Sequence, residues 1–143
     1  MGYTHYWKKE KRIKQGDYEK KLNDCKSIIE ILDGTECKLI NDKLLANAYG
    51  EDQPKYKTSI EFNGIGDLSH EEFYLPNRIN DLREFNFCKT QRKPYDKVVV
   101  ACLSVLAEID GIEVSSDGEA DDWKEGSNLA SEILGRKVVN PIK

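Results

Sequence analysis

The chain is 143 residues long, 34% charged and 38% apolar, with a net charge of −4. This length suits one domain, residues 1–143, large enough to bury a core without disulfides or a structural metal. The acidic balance argues against a general nucleic-acid or anionic-membrane binder, and no apolar run approaches the roughly 18 residues of a membrane span.

Cys25, Cys37, Cys88 and Cys102 form no CxxC pair and fall mostly at positions expected to be apolar. They read as reduced core residues of a cytoplasmic protein. No charged start followed by an apolar run opens the chain, so neither export nor membrane insertion is expected.

Tyr3 to Trp7 is aromatic and β-prone, and a strand there runs into the basic cluster Lys8, Lys9, Lys11, Arg12 and Lys14. Asp17 is the expected N-cap of a helix. Tyr18, Leu22, Cys25, Ile29 and Leu32 lie along its apolar face, with Glu19, Lys20, Lys26 and Glu30 opposite, until Gly34 ends it. Cys37 to Ile40 fits a short strand or a helical turn, and residues 41–56 give no pattern. The alternation over Lys57 to Phe62 predicts a strand, and Phe73 to Leu75 its hairpin partner.

From Glu84 to Gly111 the chain reads as a strand, a basic loop and a buried helix, and we expect this stretch to form the centre of the core. Phe85 and Phe87 alternate with polar neighbours, Pro94 suits a first helical position, and Val98, Val99, Cys102, Leu103, Leu106 and Ile109 share one helical face. Ile112 to Ser115 is a further strand. Ser116 and Glu119 fit a capping box before a last helix carrying Trp123, Ala130, Ile133 and Leu134 and closed by Gly135. The expected class is α+β, a small, mostly antiparallel sheet with about three helices packed on it.

Catalytic templates mostly fail. Cys88 and Arg92 are too closely spaced for a tyrosine-phosphatase loop, no GxxxxGK[ST] loop occurs, and neither His5 nor His70 heads a His-x-Thr/Ser pair. The acidic run Asp117, Glu119, Asp121, Asp122 lacks the glycine and terminal glutamate of a calcium loop. No catalytic residue, metal ligand or cofactor is therefore assigned. The loop Lys89, Thr90, Arg92, Lys93 before a helix start favours an anion, phosphate or carboxylate. Tyr3, His5, Tyr6, Trp7 and Tyr95 are the residues expected beside it, the aromatic ones to stack on a ring.

Gly2-Tyr-Thr-His-Tyr-Trp7, Phe85 to Thr90 with Pro94-Tyr-Asp96, and Ser116-Asp-Gly118 with Trp123 resemble an uncharacterised family of small phage and prophage proteins. The resemblance implies a phage-encoded protein of the host cytoplasm and transfers no activity, ligand or catalytic residue. Small phage proteins of this kind often oppose host defence, so three readings stand. The first is a binding protein that captures a phosphate-bearing, nucleotide-like small molecule. The second is an inhibitor of a host protein acting through the aromatic and basic patch of Tyr3, Tyr6, Trp7 and Arg12. The third is a nucleotide hydrolase using His5, Asp96 or Asp117. Partners are thus an anionic small molecule or a host protein, with no general nucleic-acid binding and no membrane; the sequence leaves the oligomeric state open, a homo-oligomer included.

Overall fold

The computed structural model describes residues 2–40 and 59–143. The expected strand start at Lys57 and the unassigned stretch 41–56 lie wholly or mainly outside the described residues. Six strands, three α-helices and two short 3-10 turns alternate along the rest, giving an α+β fold.

Strand β1 (Thr4–Lys9) is central in a three-stranded antiparallel sheet, between β5 (Phe85–Lys89) and β6 (Ile112–Ser116). The remaining strands, β2 (Lys38–Leu39), β3 (Ile60–Asn63) and β4 (Phe73–Leu75), form a second antiparallel sheet in that order. The expected hairpin is present, with Ile60 opposite Leu75 and Phe62 opposite Phe73. The strands divide into two sheets because the outer edge of β5 meets only a brief neighbour. The Glu71 amide bonds Lys89 O at 3.2 Å, its carboxylate accepts the Lys89 amide at 3.1 Å, and the chain then turns away into β4.

Helix α1 (Gln15–Leu32) starts two residues before the expected cap, so Asp17 lies inside its first turn. Lys26, expected on the solvent face, is fully buried. Helix α2 (Asp96–Leu106) is buried from Val98 to Leu106 and packs between α1 and α3 (Ala120–Leu134). Pro94 stays in the turn before it rather than entering the helix, and the Asp96 amide closes that turn on Lys93 O at 2.8 Å. Helix α3 is capped three residues later than expected, at Glu119 rather than Ser116. Asp122 accepts the Glu119 amide at 2.8 Å, which releases Ser116 for another role.

One apolar cluster joins both sheets to the helices. Trp7 lies against Phe73 with ring centroids 5.3 Å apart, Phe73 against Phe62 at 5.1 Å, and Phe62 meets the edge of Tyr95 at 6.5 Å. All four cysteines are buried free thiols. Among the described residues no helix is long and apolar enough to cross a membrane.

Candidate functional site

Directly opposed residues of an antiparallel ladder share a face. The register places His5 opposite both Cys88 and Ser116, and Trp7 opposite Asn86 and Val114, on the inner face. Tyr6 faces Phe87 and Ser115, and Lys8 faces Phe85 and Glu113, on the outer face.

At the inner face, where β5 leads towards α2 and β6 towards α3, His5 is fully buried. Its Nε2 lies 2.6 Å from Asp96 Oδ1 and its Nδ1 2.8 Å from Ser116 Oγ. The Thr90 hydroxyl donates to the same Asp96 oxygen, and Ser116 Oγ accepts the Gly118 amide at 2.9 Å. With Nε2–H given to the carboxylate, a neutral imidazole takes the Ser116 proton at Nδ1; an imidazolium donates at both ends. Carboxylate, imidazole and hydroxyl follow the order of an acyl-transfer triad. Here, however, the edges of Tyr3 and Trp123 close over the ring at 5.0 Å each. The network fastens β1, β6 and α2 together and shields the imidazole from solvent. Asp117, the other acid of the hydrolase reading, stands apart from it, bonded to the Thr4 amide at 3.1 Å and to the Tyr6 hydroxyl at 3.0 Å.

Above this network lies the basic loop. The Lys93 amide closes on Thr90 O at 3.0 Å, and Gln91 and Arg92 have φ of 54° and 57°. Two left-handed central residues make a type I′ turn, normally the place of Gly or Asn, at a cost of about 1–2 kcal/mol per side chain. What holds it is Arg92, whose guanidinium sits 3.9 Å above the Tyr3 ring and bonds Asp122 at 3.1 Å. Burial, then the carboxylates of Asp96 and Asp122, push the Tyr3 phenol up against the opposing pull of Arg92, so it stays protonated. A cleft of about 210 Å³ opens beside the turn, where Arg92, Lys93 and Lys97 face Asp96, Asp122 and Glu125. Its charges balance, and Arg92 and Lys97 are already paired, Lys97 with Glu36 at 2.8 Å.

Of the nine residues picked from sequence, Tyr3, His5, Thr90, Arg92 and Lys93 do gather at this end of the sheet. Thr90 and His5 are buried as network members, and Lys89 is exposed on the outer face. Trp7 is a core residue, and Tyr95 is fully buried with its hydroxyl on Glu71 O at 2.5 Å; neither ring is open for stacking. Cys88, opposite His5, turns its thiol to the carbonyls of Glu71 and Glu72, and burial pushes its pKa up to about 12, far from a nucleophilic thiolate.

The outer face carries the larger surprise. Phe85 and Phe87, expected to anchor a half-buried strand, are 50% and 51% exposed. The Phe85 ring stands 5.9 Å from Tyr6 and 6.2 Å from Phe87. Beside them a shallow cleft of about 250 Å³ is walled by Glu71, Glu72, Tyr74 and Arg83. Their alternation was legible, but its direction was not: the buried partner in β5 is Cys88, a smaller and weaker signal than two phenylalanines. Ser116, Asp122 and Trp123 complete the inner site. In sequence Ser116 reads as the start of a capping box rather than as a partner of His5, and Asp122 lies within an acidic run.

No protein-family model matches the chain, and no curated protein and no solved structure matches it either.

Proposed function

We propose that the chain is a binding protein that docks on a second protein through the outer face of the β5-β1-β6 sheet, in keeping with the host-protein inhibitor expected from its phage-like sequence. The exposed Phe85 and Phe87, with the half-buried Tyr6 ring beside Phe85, carry this reading. Two half-exposed phenylalanines leave apolar area in water at about 25 cal/mol per Å², and clustered aromatic rings are the usual anchors of protein interfaces. Around them Lys8, Lys89, Glu113 and Asp117 bring both signs of charge. A mixed rim suits a protein surface better than a phosphate backbone. The patch thus moves from Tyr3, Trp7 and Arg12 to Phe85 and Phe87, with Tyr6 kept.

A photo-crosslinking phenylalanine analogue at position 87, in cells that host the protein, should trap a discrete partner. The same analogue at Val139, 64% exposed in the C-terminal tail, should not. Phe85→Ser with Phe87→Ser should abolish capture at an unchanged melting temperature. Equal crosslinking from both positions, or capture that survives the double substitution, defeats the proposal.

The strained turn favours a second reading, the capture of a phosphate-bearing, nucleotide-like molecule. Gln91 and Arg92 hold costly left-handed conformations that present Arg92 and Lys93 at the mouth of a cleft. An anion there would have to draw Arg92 away from Asp122. Calorimetry against mono- and cyclic nucleotides, with Arg92→Ala/Lys93→Ala as control, decides it, and heat that persists in the control counts against this loop.

A further inference from the structure

A third region, far in sequence from the 89–93 loop, holds uncompensated positive charge in a cleft. Between the start of α1 and the turn after α2 lies a depression of about 450 Å³, within the size range of small-molecule sites. Lys11, Arg12, Lys14, Lys20 and Lys21 line it, against Asp17, Glu108 and Asp110, an excess of two positive charges in a chain whose net charge is −4.

The pairing inside the cleft matters more than the count. Glu108 is held by Lys21 at 3.0 Å and by both terminal nitrogens of Arg136 at 2.8 and 2.9 Å. Asp110 is taken by Lys11 at 2.5 Å. Arg12, Lys14 and Lys20 remain exposed with no carboxylate partner among the described residues. Only Asp17 opposes them unpaired. The start of α1 has no side-chain cap, so its free amides add to the positive potential. Ile13 and Ile109 supply a nearly buried apolar floor, 7% and 6% exposed.

We propose that this cleft binds an oligophosphate chain of two or three phosphoryl groups, free or attached to a nucleoside. Three unpaired cations around one depression match a ligand with several adjacent anionic groups, each able to take a charge-assisted hydrogen bond. A monophosphate engages too few of them. The site is independent of the sheet face and of the 89–93 loop, and it gives the basic cluster after β1 a role beyond solvation.

Calorimetry with inorganic tripolyphosphate, ATP and AMP tests it. Tripolyphosphate and ATP should bind, AMP at least tenfold more weakly, with affinity falling as salt rises. Tighter binding of ATP than of tripolyphosphate places the nucleoside on the Ile13 and Ile109 floor; equal binding identifies the phosphate chain alone as the ligand. Arg12→Ala/Lys14→Ala/Lys20→Ala should weaken both at least tenfold, and Lys20→Glu alone should do so in part, while Arg92→Ala/Lys93→Ala leaves them unchanged. The proposal is overturned if folded wild-type protein binds neither oligophosphate, if AMP binds as well as ATP, if the triple variant binds normally, or if the Arg92/Lys93 variant is the one that loses binding.

Discussion

His5 and Asp96, 91 positions apart in sequence, meet at 2.6 Å beneath the 90–93 turn. The contact joins the first strand to the start of the most buried helix, and the imidazole's other nitrogen reaches Ser116. Truncating His5 removes one partner from each side of a buried network, leaving the Asp96 oxygen with Thr90 alone and Ser116 Oγ with the Gly118 amide alone. His5→Ala should therefore cost about 2–4 kcal/mol of stability in urea unfolding, and Ser116→Ala about 1 kcal/mol. The two should be non-additive in a double-mutant cycle. A loss below about 0.5 kcal/mol for His5→Ala shows that the network fastens nothing.

Trp7 and Phe87 separate core from surface. Trp7 is 2% exposed and packs on Phe73, whereas Phe87 is 51% exposed. Trp7→Ala should cost about 3–5 kcal/mol, enough to make it useless as a probe of binding. Phe87→Ala should change stability by no more than about 0.5 kcal/mol. Thermal melts of the pair decide which aromatic residues hold the fold and which are available to a partner.

The same residues show what the sequence could disclose. Helical periodicity in Tyr18 to Leu32 and Val98 to Leu106, and the alternation of Ile60 and Phe62 against Phe73 and Leu75, located α1, α2 and the β3–β4 hairpin, because burial of those faces is one-sided and strong. Alternation reports that a strand has two faces and not which one meets the core, so the pattern alone favours the larger Phe85 and Phe87 for the inner face over Cys88. The site was half legible. A basic loop before a helix stands out in any sequence, but the contact of His5 with Asp96 and Ser116 depends on β1 lying between β5 and β6, a pairing of distant segments that local pattern does not encode.

Gly16 and Gly126 should respond to alanine with opposite signs. A Cβ on Gly16 meets nothing within 4 Å, whereas one on Gly126 lies 2.4 Å from Val100 Cγ1 and 2.9 Å from Lys97 O. Gly16→Ala should add about 0.5–1 kcal/mol by restricting the unfolded chain. Gly126→Ala should remove about 1–3 kcal/mol by forcing α3 away from α2, despite alanine's higher helix propensity. Chemical denaturation of both variants tests how closely the two helices approach.

Glu108 links stability to pH. Burial raises its pKa, but hydrogen bonds from Arg136 and Lys21 outweigh burial and bring it below the ordinary 4.5. A carboxyl depressed in the folded state contributes stability that is complete above its unfolded pKa and lost as pH falls through the folded value. Glu108→Gln should therefore lower the melting temperature at pH 7, and the gap from wild type should close as pH falls below about 4.5. A gap that stays constant between pH 7 and pH 3 refutes the linkage.

The central place of β1 constrains the order in which the molecule can be made. Its ladder partners run from Phe85 to Lys89 and from Ile112 to Ser116, so β1 leaves the ribosome before either neighbour and waits for both. Contacts of such long sequence separation form slowly, and until they form Tyr3, Trp7 and the inner edge of β1 remain uncovered. Nascent chains stalled before residue 85 should therefore be bound by chaperones or cleaved by proteases, and protection should come late and nearly all at once when β6 is added.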